Sequence, residues 1–361
     1  MNLKTLLNAR RRVLFVGPPG CAKTARIHAV AKECGYKTVV VRVSLTERID
    51  FGGALIADLA NGVTRALPLE WLRDLKSSKE KWLLFCDDLG QAPMDAQAAL
   101  MKLFDSGELP DNVVIWGATN RPGDKAGVTA LCEPLRSRFH VAFAIPTPGS
   151  AEKADGAVFL SDWKEELQGW CDWALDHSIP AEIVAWHRST LGSDLYAWAP
   201  HADPGVRLPD YRSWETVGLN WQDGMRDLQI VSAAIGKPHA AKFLAFTKLA
   251  EKLPSPQQVF DDPEGAPVPE DNSALYLISA TLPAAIVKVE LSTPPTAAEQ
   301  KAKKLQREQA DAVIQYMGRL PRVYAALCGR DMYRKLGAPM CDSKHWKKWF
   351  EANAALFGFG A

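Results

Sequence analysis

The chain has 361 residues, 47% hydrophobic and 24% charged, with 43 Lys and Arg against 42 Asp and Glu. That length suits two or three domains with sizeable cores, and a net charge of +1 supplies no whole-protein field to draw the chain onto DNA or an anionic membrane. Seven cysteines (21, 34, 86, 132, 171, 328 and 341) form no CxxC pair and the seven histidines no HExxH, which points to reduced thiols in a cytoplasmic protein rather than disulfides or zinc ligands.

Residues 1–12 form a short amphipathic lead, with Leu3, Leu6 and Leu7 ahead of Arg10-Arg11-Arg12. The apolar run Val13-Leu14-Phe15-Val16, too short for a signal segment, then meets Gly17-Pro18-Pro19-Gly20-Cys21-Ala22-Lys23-Thr24, and a helix-like segment follows. Strand, glycine-rich turn, Lys-Thr, helix is the order a phosphate-binding loop requires, because backbone N–H groups at a helix N-terminus must converge on the phosphates. Lys23 would reach the terminal phosphates and the Thr24 hydroxyl would ligate Mg²⁺. The plainer alternative is a Gly/Pro turn that happens to precede a helix, and Ala22 stands where the general pattern has Gly.

Thr38–Val43 is β-branched and reads as a buried parallel strand. Next, 54–65 carries an Asn61-Gly62 pair between apolar residues, which predicts a hairpin. Trp82-Leu83-Leu84-Phe85-Cys86-Asp87-Asp88 reads as a buried strand delivering two carboxylates to the C-terminal edge of a sheet, where α/β folds bind ligands. Asp87 is the candidate Mg²⁺ partner and Asp88 the group that orients an attacking water; a strand followed by a helix cap is the alternative. Val113–Asn120 is a further buried strand, ending in an amide that could hold the same water. Pro134-Leu135-Arg136-Ser137-Arg138-Phe139 and a last strand, Val141–Ile145, bring this part to Pro146 and Pro148.

Taken in order, GPPGCAKT, WLLFCDD, WGATN and PLRSRF resemble the AAA+ ATPases over residues 13–145, and GPPGxAKT with the hairpin at 54–65 resembles the MoxR branch. The resemblance implies ATP and Mg²⁺ as cofactors, with Lys23 and Thr24 in Walker A, Asp87 and Asp88 in Walker B, and Asn120 as sensor 1. It also implies Arg138 as the arginine finger, with Arg136 as runner-up. Pro209-Asp210-Tyr211-Arg212-Ser213-Trp214-Glu215 is similar to the sensor 2 element of some MoxR-like proteins, which makes Arg212 the lid arginine, although the family's Pro is Tyr211 here. Most AAA+ proteins carry Glu where this chain has Asp88. The shorter side chain loses about 1.5 Å of reach, and a misplacement of that size can slow chemistry about a hundredfold unless the backbone compensates.

Past residue 148 the alternation of strand and helix stops. Seven of the twelve tryptophans fall between 163 and 221, at helical spacing that suits a packed core; a base-stacking platform is the alternative. Residues 253–272 hold five acids, no bases and five prolines, the composition of a poorly ordered connector. Asn272–Val287 is uncharged but too short to span a membrane, and reads as a buried helix. Residues 301–350 carry twelve Lys and Arg against four acids, and Trp346-Lys347-Lys348-Trp349-Phe350 interleaves bases with aromatics: a solvated or partner-docking face, or a nucleic-acid contact.

The expected architecture is an α/β P-loop NTPase core with a parallel sheet (1–147), an α-helical lid (148–290) and a helical C-terminal extension (291–361). What the resemblance implies is a homo-oligomeric, hexameric ring that couples ATP turnover to remodelling a protein client, such as a partner with a von Willebrand factor A domain. An arginine on the side of the core away from the phosphate loop has catalytic use only in trans. A nucleic-acid motor or loader using the basic C-terminal region, and a scaffold that binds ATP but barely hydrolyses it, are the rivals.

Overall fold

The computed structural model describes residues 3–105, 107–124, 126–128, 130–148, 157–199, 203, 205–337 and 343–353. They divide into two compact units, 1–166 with 196–212, and 167–195 with 213–361.

The first unit is built on a five-stranded sheet in the order β2-β5-β6-β1-β7, every neighbouring pair parallel. Its strands are β1 (Val13–Val16), β2 (Lys37–Arg42), β5 (Trp82–Asp87), β6 (Val113–Thr119) and β7 (Val141–Ala144). Around them lie α1 (Leu3–Asn8), α2 (Lys23–Glu33), α3 (Arg48–Gly52), α4 (Glu70–Ser77), α5 (Met94–Met101) and α6 (Glu133–Arg136). β1, β5 and β6 are nearly continuous apolar runs because both sheet faces are covered; Phe15, Phe85 and Trp116 have no exposed surface. β2 departs from the buried strand expected at Thr38–Val43. It lies at the edge of the sheet, only Val41 within it is buried, and Val43 has already left it for a 3₁₀ turn.

The hairpin forms as β3 (Ala54–Asp58) and β4 (Val63–Leu67), antiparallel, with Asp58 opposite Val63 and a four-residue loop between them. Gly62 supplies the left-handed residue that loop needs, at φ 66°, and Asp58 gathers the Asn61 amide and Arg65 at 2.8 and 2.7 Å.

The second unit is helical. Its chain runs through α7 (Trp163–Asp176), α8 (Ala181–Ser189), α9 (Tyr211–Gln222), α10 (Leu228–Ile235), α11 (Lys237–Thr247) and α12 (Pro256–Asp261). It continues through α13 (Asn272–Ala285), α14 (Ala297–Met317), α15 (Arg322–Leu336) and α16 (Lys344–Asn353). Trp170, Trp186, Trp214 and Trp221 are all buried, and the last three gather around Phe243 at centroid distances of 5.0–6.3 Å. These four helical tryptophans therefore pack a core, while Trp163 and Trp173 of α7 are half-buried.

The connector expected at 253–272 is ordered. Ser255 and Gln258 form a capping box that starts α12, Val259 is fully buried, and Asp271 caps α13 through the Ala274 N–H. Prolines and acids here serve as helix starts and caps, and Tyr316 and Arg319 donate to the carbonyls of Pro267, Pro263 and Ala266. One apolar core joins Val259, Leu275 and Ile278 with Val313, Tyr316, Met332, Trp346 and Trp349. A boundary at 290/291 would cut through that core. It also takes up the aromatic half of the basic-aromatic stretch, since Trp346 and Trp349 are buried on either side of exposed Lys347 and Lys348. Among the described residues no helix is long and apolar enough to cross a membrane, and Cys21, Cys34, Cys86, Cys132, Cys171 and Cys328 are free thiols; Cys341 lies outside the described residues.

Two buried polar features fix this unit's helices. Arg188 of α8 makes a two-pronged bond to Asp331 of α15 at 2.5 and 2.9 Å, both side chains almost fully buried. Removing one partner strands the other's charge, so Asp331→Ala is expected to cost about 3–5 kcal/mol in denaturant unfolding of this unit. His187 is wholly buried, set edge-on to Trp170 at 4.9 Å and Trp214 at 4.3 Å, and burial holds its imidazole neutral with a pKa well below the usual histidine range. The unfolded chain takes up a proton that this site refuses. Protonation at His187 therefore costs no stability above pH ~6.5, and removes about 1.4 kcal/mol for each pH unit below it. His187→Phe should flatten that acid-side slope in unfolding curves between pH 7 and 5; an unchanged slope would show that the ring takes up protons in place.

Candidate active site

The sheet order sets the site. β1 lies between β6 and β7, and β6 lies between β1 and β5, so the C-terminal ends of β1, β5 and β6 open side by side. Gly17–Thr24 leaves β1, Asp87 and Asp88 leave β5, and Asn120 leaves β6.

Three backbone features shape the loop. The Gly17 N–H donates to Thr119 O at 3.1 Å, which ties the loop to the neighbouring strand. Gly20 sits at φ 74°, and Ala22, the residue before α2, at φ 58° and ψ 31°. The general pattern has Gly at position 22 because this conformation is left-handed; Ala adopts it at a cost of about 1–2 kcal/mol.

Lys23 is buried. Its ammonium donates to Gly17 O at 2.9 Å, Pro18 O at 3.0 Å and Asn120 Oδ1 at 2.8 Å. Three neutral acceptors solvate a charge for which phosphate oxygens are stronger partners. Next to it the Thr24 hydroxyl donates to Asp87 Oδ2 at 2.8 Å, and Asp87 Oδ1 accepts from the Asp88 N–H at 3.0 Å. A hydroxyl and a carboxylate in contact at a helix N-terminus are the hard oxygen donors that Mg²⁺ takes alongside nucleotide phosphates, so these residues fit the Mg-nucleotide complex.

Asp88 is the strained member. It lies at φ 55° and ψ 37°, directly before a 3₁₀ turn. Burial, and then the charge of Asp87, push its carboxyl above the usual aspartate range. Behind it, the Gly90 N–H donates to the Thr119 hydroxyl at 3.1 Å, which in turn donates to Asn120 O at 3.0 Å. A β-carbon on Gly90 would come within 2.8 Å of Val128 Cγ1, so the turn after Asp88 is pressed close against its surroundings.

Lys23, Thr24, Asp87, Asp88 and Asn120 are thus brought together, while Arg136 and Arg138 stand elsewhere. β1 and β7 are parallel, with Val13 beside Val141; the loop follows the end of β1 and Arg138 precedes the start of β7. A strand of four residues separates the two levels by about 13 Å. Arg138 donates to Pro134 O at 2.8 Å and faces Asp105 at 3.4 Å, while exposed Arg136 pairs with Glu133 at 2.9 Å. Arg212 is exposed on the first turn of α9. Its neighbour Asp210 reaches the loop: a β-carbon on Gly20 would stand 2.8 Å from Asp210 Cγ. Tyr196 donates its hydroxyl to Pro19 O at 2.5 Å, and Glu166 pairs with Arg26 of α2 at 2.6 Å. Sequence reading missed Thr119, Tyr196, Asp210 and Glu166. Only Thr119, next to Asn120, carried a local signal; the others lie 140 or more residues from the parts they touch.

A parallel sheet with a Lys-Thr loop after β1 and an acidic end to β5 defines a phosphate-loop nucleoside triphosphatase domain. Residues 13–147 match the family described as "ATPase family associated with various cellular activities (AAA)", and this segment is an AAA ATPase domain. The chain is 30% identical over 149 residues to midasin of Giardia intestinalis, covering 37% of this chain and 3% of that protein. It is 32% identical over 148 residues to the outer mitochondrial transmembrane helix translocase of Danio rerio, covering 38% of each. The match thus spans about two fifths of the translocase and a small fraction of midasin. Among solved structures, the Thermotoga maritima RuvB Holliday junction branch migration motor aligns over 83% of this chain and 91% of its own, at 18% identity and a TM-score of 0.36.

Asp88→Asn removes a charge that burial and Asp87 both disfavour, and Asn tolerates the left-handed backbone. The variant should melt at a higher temperature at pH 7 than the parent, bind nucleotide equally well, and turn it over far more slowly. A melting point unchanged from pH 7 down to 4 in both proteins would show that the carboxyl pays no such penalty.

Proposed function

We propose that this chain is an ATP hydrolase of the MoxR type that assembles into a ring and remodels a protein partner. The observation that carries the hydrolase reading is the Thr24–Asp87 hydrogen bond, flanked by Asp88 and by the Lys23–Asn120 pair. Lys23 exchanges Gly17 O, Pro18 O and Asn120 for oxygens of the terminal phosphates, and loop N–H groups take the rest. Thr24 and Asp87 would hold Mg²⁺, which when bound would neutralise charge on the phosphates. Asn120, released from Lys23, orients the attacking water, and Asp88 accepts its proton. A carboxyl raised above the ordinary aspartate range is a better acceptor near neutral pH than a solvated one. The left-handed backbone at Asp88 re-aims a side chain one methylene shorter than Glu, and Asp88→Glu measures how much reach that turn leaves to recover.

The MoxR reading rests on Ala22 before Lys23 and on the β3–β4 hairpin between β2 and α4. The ring reading rests on Arg138, which stands at the opposite sheet edge from its own phosphate loop and so reaches phosphates only on a neighbouring subunit. Arg212, two residues beyond Asp210, is the proposed lid arginine, and Arg136 the alternative finger. A hexamer in the cytoplasm, with a client bearing a von Willebrand factor A domain, completes the proposal. The nucleic-acid alternative keeps its lysines but loses its stacking surface, because Trp346 and Trp349 are buried.

Arg138→Ala is expected to bind ATP normally, still associate, and lose roughly 10³–10⁵ in turnover. Mixed with Lys23→Ala subunits it should regain activity wherever an intact Arg138 meets an intact loop. Turnover that is independent of protein concentration and indifferent to Arg138→Ala would defeat the ring.

A further inference from the structure

The phosphate loop carries two contacts that the proposed chemistry does not use. Tyr196 is buried, and burial pushes its phenol well up, so the hydroxyl remains a donor; its partner is Pro19 O at 2.5 Å. Asp210 lies against Gly20, close enough that any β-carbon there would collide with it. The two are held together, since the Ala197 N–H donates to Pro209 O at 2.9 Å and the Tyr196 and Tyr211 rings meet edge to face at 5.9 Å.

These contacts act on the loop in opposite senses. In a trans peptide the C=O and the following N–H point in opposite directions. A hydroxyl that holds the Pro19 carbonyl on the Tyr196 side therefore turns the Gly20 N–H away from Tyr196. Asp210 brings a carboxylate onto the glycine whose missing side chain admits it, at φ 74°. A phosphate arriving at the loop meets that negative charge across a single residue. Asp210 also directly precedes α9, where an Asp or Asn serves equally well as a cap, so the cap alone does not require the charge.

We propose that Tyr196 and Asp210 together set the nucleotide affinity of the phosphate loop: Tyr196 as a positioning residue that aims the Gly20 N–H, Asp210 as a charge that opposes the phosphates and speeds their release. This rests on the nucleotide-site reading above. A site that must turn over repeatedly gains from both, because a loop that only tightened would retain its product.

The test is a fluorescence titration and chase with a fluorescent ATP analogue and Mg²⁺, on the full chain. Asp210→Asn keeps a side chain able to cap α9 and removes the charge, and should tighten binding about tenfold at low salt and slow release to match. The gain should shrink as salt rises, because a charge that is only partly buried is still screened. Tyr196→Phe keeps the ring contact with Tyr211 and loses one hydrogen bond, and should weaken binding roughly three- to tenfold while lowering the melting temperature in the absence of nucleotide only slightly. A merely structural defect does not raise affinity, so tightening in Asp210→Asn supports the assignment directly. Affinity unchanged or weakened in Asp210→Asn overturns the charge's role, and unchanged affinity in Tyr196→Phe overturns the positioning role. Failure of the parent chain to bind the analogue at all would sink the nucleotide-site reading and this inference with it.

Discussion

Everything in the first unit that bears on chemistry depends on the hydrogen bond between Thr24 and Asp87, side chains 63 residues apart in sequence. It can form only because β6 alone separates β1 from β5, which puts the loop at the end of one strand and the acid at the end of the other on the same edge. The sheet's apolar runs exist to hold that register. Phe15, Phe85 and Trp116, fully buried on β1, β5 and β6, fix the strands that deliver Thr24, Asp87 and Asn120. Packing in the sheet thus becomes placement of charge at its edge.

The site is under strain where it is proposed to work. Ala22 and Asp88, two non-glycine residues in left-handed backbone, flank the Thr24–Asp87 contact, and Asp88 adds a carboxylate that its surroundings disfavour. Each costs stability locally, and each persists because the surrounding sheet over-determines the fold. The hydroxyl of Thr119 holds the Gly90 N–H just beyond Asp88, so the short carboxylate sits in a turn that is fixed from behind.

Much of this was legible in sequence, for reasons that differ by residue. Buried parallel strands announce themselves as apolar runs, and a Lys-Thr after a glycine-rich turn is local, so β1, β5, β6 and the loop could be read directly. β2 could not be told from them, because Val39-Val40-Val41 is as apolar as a central strand and only the sheet order makes it an edge. The acid- and proline-rich stretch at 253–272 misled for the opposite reason: composition cannot distinguish residues that cap helices from residues that stay solvated, and Ser255 and Asp271 cap. Tyr196 and Asp210 gave no signal, since contacts across more than 170 residues leave no periodicity to find.

The first unit is discontinuous along the chain. After residue 166 the polypeptide goes off to begin the helical unit, and residues 196–212 come back to the sheet before it leaves for good. Proteins emerge from the ribosome from the N-terminus onward, and domains generally fold as units as they appear. Here the sheet can assemble once β7 has emerged, but the segment bearing Tyr196 and Asp210 arrives only after α7 and α8 have been made. The nascent chain therefore passes through an interval in which the phosphate loop exists without the two side chains that lie against it. It reaches its finished form only when part of the helical unit is already out.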